Sequence, residues 1–217
     1  MICDMQITIF IYDKLAAQDA VGPYEAFRCV PGWDVHFAGL RTGEVRAEGG
    51  LGLVADLTLE QATETDLVLV PGGIGSDDLL ENETVLSWLR EIDAVTKWTT
   101  SVCTGALLLG AAGLLEGKRA TSNWLALDEL PKYGAEVIGG GRWVEDGKTI
   151  TAAGVTAGID MALHLIDREA GPEVAQAVQL GIEYDPDPPF DSGSPEKAPP
   201  EIVELVTSMS RRAATSA

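Results

Sequence analysis

The residues best placed for chemistry in this chain are Ser101-Val102-Cys103-Thr104-Gly105, where a run of strand formers meets a run of helix formers. Residues 98–102 are β-branched, aromatic or small, and residues 103–112 are built mainly from alanine, leucine and glycine. A nucleophile at such a junction sits on a sharp turn that holds its side chain above the sheet edge, beside the first turn of the helix. The positive end of the helix dipole there favours the thiolate, which is the reactive form of cysteine. A lone cysteine elsewhere is usually an inert apolar side chain, and it is the elbow position that makes Cys103 the expected nucleophile. Gly105 leaves room for the turn, while Gly110 and Gly113 permit close helix packing.

Two other segments offer polar groups to the same edge. Pro71-Gly72-Gly73-Ile74-Gly75 ends the apolar run 66–70. Ligands in open parallel sheets bind at the carboxyl ends of the strands. A Gly-Gly turn there can aim the Gly72 and Gly73 amides into the crevice, where they would join the Thr104 N–H in stabilising negative charge. The glycines also fit a plain turn, and with neither GxxxxGK[ST] nor a full GxGxxG the segment is not a phosphate loop. Asp19 stands at the end of the first strand, ahead of Gly22-Pro23, and is the available acid partner if it is partly buried. Its alternative role is a helix cap or turn residue. His36 alternates within a strand and His164 sits on a helix, so a Cys-His-Asp triad is not expected. Cys3, Cys29 and Cys103 are far apart and form no CxxC pair, so neither a metal site nor a disulfide framework is expected.

The frame for these groups is a series of strands alternating with helices. Residues 6–12 and 66–70 are apolar on both faces, as buried parallel strands are, 33–40 alternates, and 98–102 is a further strand. Residues 45–57 hold Gly49-Gly50 and Gly52 and suggest a ribbon outside the main layer, and 142–151 reads as a hairpin turning at Asp146-Gly147. Helices are expected at 21–29, opened by Gly-Pro, and at 82–95, 103–112, 124–130, 156–170 (with Thr156 as cap) and 172–182. The alternation predicts an α/β fold with a mostly parallel sheet covered on both faces. Residues 185–200 contain six of the 11 prolines and are expected to form an irregular arm, followed by a C-terminal helix, with the whole of 1–217 making one domain.

Charge narrows the partners. With 15 Lys+Arg against 34 Asp+Glu the formal net charge is −19, which opposes binding to nucleic acid or to an anionic membrane surface. The 46% hydrophobic and 23% charged content is that of a globular chain. The start lacks a basic leader and cleavage site, and the longest apolar run, 106–115, is too short to span a bilayer. A reducing, cytoplasmic location with free thiols is therefore expected.

Taken together, these segments resemble the ThiJ/PfpI family of the Parkinson-associated deglycase and class I glutamine amidotransferase-like superfamily. The resemblance is carried by Asp19-Ala-Val-Gly-Pro23, Val70-Pro-Gly-Gly73, the elbow 101–105, the stretch 110–121 and Gly154-Val-Thr-Ala-Gly-Ile-Asp160. It implies a flavodoxin-like three-layer sandwich, usually a homodimer, that needs no metal or organic cofactor. Within the family the chain is most similar to the isocyanide-hydrating branch, which has Asp as the acid, Thr after the nucleophile, and a proline-rich tail like 183–195 here. That likeness implies a small apolar isocyanide substrate, with catalytic roles for Cys103, Asp19 and Thr104 and binding roles for Gly72, Gly73 and Thr104. It adds Asn123, Trp124, Gly154 and Val155 as pocket candidates. Many relatives carry a His where this chain has Asn123, which argues against Cys-His protease or amidase chemistry. The alternatives are a glyoxalase, deglycase or amidase of the same superfamily, and a non-catalytic ligand-sensing domain. The sensor reading is disfavoured by the lack of a basic helix-turn-helix, since Arg211 and Arg212 are the only late basic pair.

Overall fold

A computed structural model describes residues 4–216, with side chains described as far as Ser210; Cys3 lies outside the described residues. The chain divides into two compact units, Met1–Glu183 and Tyr184–Ala217.

In the first unit, β1 (Met5–Phe10) is followed by α1 (Ala17–Phe27) and β2 (Trp33–Gly39). The ribbon β3 (Gly43–Arg46) and β4 (Gly52–Ala55) pairs antiparallel and stands apart from the main sheet. There follow β5 (Leu57–Thr58), β6 (Leu67–Val70), α2 (Glu83–Val95), β7 (Trp98–Val102) and α3 (Gly105–Ala111). A small parallel pair, β8 (Arg119–Ala120) and β9 (Glu136–Val137), precedes the hairpin β10 (Trp143–Asp146) and β11 (Thr149–Ala152). The unit closes with α4 (Ala157–Ala170) and α5 (Pro172–Gly181).

The main sheet has the order β10-β11-β7-β6-β1-β2-β5, and every pairing is parallel except β10 with β11. Its centre is covered on both faces: β6 and β7 are buried throughout their lengths. Two residues three positions apart on β7, and so on opposite faces, report the two covering layers. Thr99 donates to Asp93 of α2 at 2.6 Å, whereas Val102 faces the other way, towards Gly158 of α4 and Pro23 of α1. A methyl group at Gly158 would lie 3.0 Å from both Pro23 Cγ and Val102 Cγ2, so this glycine brings α4 close to the sheet. The architecture is the α/β sandwich expected. Among the described residues no helix is long and apolar enough to cross a membrane.

Two local expectations change. α1 begins at Ala17 rather than residue 21, so Asp19 lies in its first turn and not in a preceding link. Pro23, normally a sign of a helix start, is here the seventh of the 11 residues of the helix, where its missing N–H removes the bond that would reach Asp19 O. Thr156 stands at the cap position of α4, but its hydroxyl accepts from Arg142 at 3.1 Å instead of capping the helix.

The second unit is irregular up to α6 (Pro200–Ser216). A turn in which Lys197 and Ala198 donate their N–H groups to Ser194 O, and a Lys197–Asp191 contact of 2.7 Å, give the proline-rich segment internal order.

Candidate active site

Cys103 leaves the end of β7 with φ 58°, a left-handed conformation that a residue with a side chain adopts only when its surroundings impose it. Here the constraints are visible. The Cys103 N–H is directed at Ala153 O (2.9 Å) and Ala152 O (3.2 Å), and the Cys103 carbonyl accepts from Ser122 Oγ at 2.8 Å. Two glycines allow the close approach. A methyl group at Gly105 would lie 2.0 Å from Val70 O, and one at Gly72 would lie 2.5 Å from Thr104 N and 2.9 Å from Cys103 Cβ. The ends of β6 and β7 therefore converge on the thiol.

Asp19 reaches this point from α1. It is fully buried; its Oδ2 accepts the Gly72 N–H at 2.9 Å, while its Oδ1 has no hydrogen-bond partner. Burial raises its pKa from 3.8 to about 7; the Gly72 N–H opposes that, the Glu48 charge adds to it, and a hydrogen bond with the Cys103 thiol lowers it slightly. Burial likewise pushes the Cys103 thiol from 9.0 up to about 12, and the Asp19 charge pushes in the same direction. The N–H groups of Thr104 and Val155 and the Asn123 side chain act against this rise by donating to sulfur. The expectation that a helix dipole would make Cys103 a ready thiolate is thus reversed: α3 is only seven residues long, and desolvation outweighs it. Near neutral pH the site holds a thiol beside a carboxyl group that is poised to gain or lose a proton.

The glycine amides differ from expectation as well. Gly72 N–H is engaged by Asp19, and Gly73 N–H donates to Thr104 Oγ1 at 3.0 Å, so both hold site residues in place rather than facing a substrate. Thr104 Oγ1 also lies 3.1 Å from Ser76 Oγ, which donates to Gly73 O at 2.8 Å. The donors gathered at sulfur come instead from Thr104, Val155 and Asn123. Asn123 Oδ1 accepts the Leu125 N–H at 3.0 Å, which fixes the amide and leaves its nitrogen for the sulfur. Gly154 makes room for it, since a methyl group there would lie 2.9 Å from Asn123 Nδ2, and Val155 is held at φ 36°. Trp124, half-buried, opens the 3-10 helix Trp124–Tyr133 directly after Asn123.

Sequence reasoning missed several neighbours. Tyr12 is buried, donates to Pro71 O at 2.8 Å, and has its pKa raised well above 10.0, first by burial and then by Asp19 and Cys103. Its place just past β1, at the carboxyl edge of the sheet, was the available signal. Ser122 adjoins Asn123 and could have been found with it; Ser76 and Glu48 carry no motif. His36 and His164 lie elsewhere, paired with Asp34 (3.1 Å) and Glu145 (2.8 Å). A groove of about 740 Å³ between α2 and the loop after β5, lined by Leu59, Trp88, Ile92 and Val95, contains none of the residues around Cys103.

Comparison with known proteins places this geometry in context. The model of the DJ-1/PfpI family matches residues 5–168. An isonitrile hydratase of Pseudomonas putida is 43% identical over 200 residues, covering 92% of this chain and 87% of that protein. The HTH-type transcriptional regulator CdhR of Pseudomonas aeruginosa is 34% identical over 137 residues, which are 63% of this chain but only 40% of the regulator. Among solved structures, a ThiJ/PfpI family protein from Pseudomonas syringae superposes with a TM-score of 0.93 at 34% identity, covering 97% of this chain and 88% of that one.

Proposed function

The chain belongs to the DJ-1/PfpI family, and within it we propose an isonitrile hydratase that converts an isocyanide and water into an N-substituted formamide. The observation that carries the reading is the buried pair itself: a carboxyl group with a pKa of about 7, one oxygen unpartnered, next to a protonated thiol. The terminal carbon of an isocyanide takes both a nucleophile and a proton, and this pair offers both.

In the first step the Cys103 sulfur bonds to the terminal carbon while Asp19 relays a proton to that same carbon. The S–H bond is lost, and a thioimidate, R–N=CH–S–Cys103, is formed. The N–H groups of Thr104 and Val155 and the Asn123 side chain steady the sulfur as its proton leaves. Water then adds across the C=N bond, its hydroxyl going to carbon and its proton to nitrogen. The hydroxyl oxygen forms the carbonyl as the C–S bond breaks, and the hydroxyl proton returns to the sulfur. Formamide departs and the thiol is restored, with Asp19 carrying protons in both halves. Thr104, braced by Gly73 and Ser76, holds the strand-end loop against the elbow. The same reading includes a cytoplasmic homodimer, the latter measurable by light scattering.

The test is incubation with para-nitrophenyl isocyanide or cyclohexyl isocyanide, following formamide by chromatography. Turnover by the wild type, lost in Cys103→Ala, supports the reading. Absence of turnover alongside consumption of methylglyoxal overturns it in favour of carbonyl chemistry. Turnover that survives Cys103→Ala overturns the covalent route.

A further inference from the structure

One peptide unit grips Asp19, and a second side chain grips that unit from behind. The Gly72 N–H donates to Asp19 Oδ2 at 2.9 Å, and the carbonyl of the same peptide, Pro71 O, accepts the Tyr12 hydroxyl at 2.8 Å. Tyr12 Oη, Pro71 O, Gly72 N and Asp19 Oδ2 thus form one chain of hydrogen bonds. It runs from the segment after β1, across the loop after β6, to the first turn of α1. All four residues are buried, so bulk water does not compete for either bond. In a planar trans peptide the C=O and N–H point opposite ways, so a donor fixed on the carbonyl also fixes the direction of the N–H. The same donor polarises the peptide and makes its N–H a stronger donor in turn. The Gly72 N–H favours the ionised form of Asp19 and works against the effect of burial. The ring of Tyr12 has its own support, packing on Phe10 with centroids 5.2 Å apart, so the hydroxyl is placed independently of the bond it makes.

We infer that Tyr12 is a positioning residue for the acid: through the Pro71–Gly72 peptide it orients the Asp19 carboxyl group beside Cys103 and strengthens the main-chain bond that stabilises its charge. The inference rests on the hydratase reading above wherever turnover is the readout. The other ionisable groups that bear on Asp19 are Cys103, at the end of β7, and the exposed Glu48, between β3 and β4. Tyr12 itself faces Asp19 and Cys103, with Glu48 and Asp77 of the 3-10 helix Ile74–Leu79 acting on it more weakly. Burial first, and then these negative charges, hold the phenol well above 10.0, so Tyr12 remains a donor throughout the range in which Asp19 titrates.

The experiment is Tyr12→Phe, which keeps the ring on Phe10 and removes only the hydroxyl. With a weaker Gly72 donor Asp19 ionises less readily, so the alkaline limb of kcat/KM for cyclohexyl isocyanide is expected to move up by about 0.3–0.5 pH unit. At the new optimum kcat should be several-fold lower with KM little changed. A second readout is independent of turnover: NMR titration of the Asp19 carboxyl carbon, assigned by its absence in Asp19→Asn, should move in the same direction. Thr100→Val is the control, since it removes a buried hydroxyl that donates to Val68 O at 2.9 Å on the neighbouring strand. It should lower thermal stability and leave both titrations where they are. Should Tyr12→Phe fail to fold, fluorotyrosine at position 12, a stronger donor, is expected to move the Asp19 titration down. An Asp19 titration unmoved by either replacement overturns the inference, as does an equal shift in Thr100→Val. If no isocyanide is turned over, the hydratase reading fails, and the carbon titration alone decides the role of Tyr12.

Discussion

Replacing Asp19 by asparagine is expected to make the protein more stable above neutral pH while abolishing its chemistry. The carboxyl group titrates near 3.8 in an unfolded chain and near 7 in the fold. Below 3.8 it is protonated in both states and costs nothing. Between 3.8 and 7 the unfolded chain loses its proton and the folded one keeps it, so wild-type stability declines steadily, and above 7 the deficit is constant. Three pH units correspond to about 4 kcal/mol at full size. Asparagine has no such titration, and its oxygen can still accept the Gly72 N–H that Oδ2 accepts at 2.9 Å. A neutral acceptor is weaker than a carboxylate by about 1 kcal/mol, which leaves a net gain of about 2–3 kcal/mol at pH 8. The assay is urea unfolding of wild type and Asp19→Asn at intervals from pH 4 to 8.5, kept below the range in which Cys103 titrates. The difference in unfolding free energy should grow in favour of the variant up to about pH 7 and then level. A difference that stays flat across this range, or a variant less stable than wild type at pH 8, refutes the assignment of a burial-raised pKa. A gain in stability with loss of turnover is the pattern expected when a strained group is kept for function.

The remaining expectations are shorter. Because Asp19 must carry a proton into the first step, kcat/KM for a neutral isocyanide should fall about tenfold per unit above pH 7; a profile flat from pH 6 to 9 contradicts the role. Gly105→Ala brings a methyl group to 2.0 Å from Val70 O and is expected to lower stability by more than about 2 kcal/mol, whereas Gly181→Ala, which meets open space, should leave thermal unfolding close to wild type. Asn123→Ala removes a donor to sulfur; it should slow alkylation of Cys103 and reduce kcat more than it raises KM, with unchanged reactivity pointing to a purely structural Asn123.

How far the sequence carried differs from one residue to the next. Cys103 was legible because an apolar strand running straight into a small-residue helix leaves little other geometry than a tight elbow, and the φ of 58° is that geometry. Asp19 was recognised as the acid but placed in a link, because Pro23 reads as a helix start and Ala16 at the true cap position carries no capping side chain. The Gly72 and Gly73 amides were assigned to the substrate since composition shows that a turn is open without showing what already occupies it; only the fold reveals that Asp19 and Thr104 do. The thiol's reactivity was misjudged for a related reason. A helix dipole is inferred locally, whereas desolvation depends on every element packed around the sulfur. Glu48 could not have been found at all, since a glutamate between glycine-rich segments is an ordinary surface residue, and in the fold it stays exposed while its carboxylate takes the Ile74 N–H.

The β3–β4 ribbon has a consequence for how such a protein can diversify. It lies outside the main sheet and meets the segment before α1 largely through main-chain bonds, Lys14 N–H to Arg46 O at 2.6 Å and Glu48 N–H to Leu15 O at 2.9 Å. Main-chain bonds tolerate exchange of side chains, so Glu48 can give way to another residue that keeps an acceptor for the Ile74 N–H without disturbing the elbow. One lineage could exchange the acid for a neutral amide there and keep the same elbow under a different local charge, a form of adjustment that the interlocked glycines of the sheet edge do not permit.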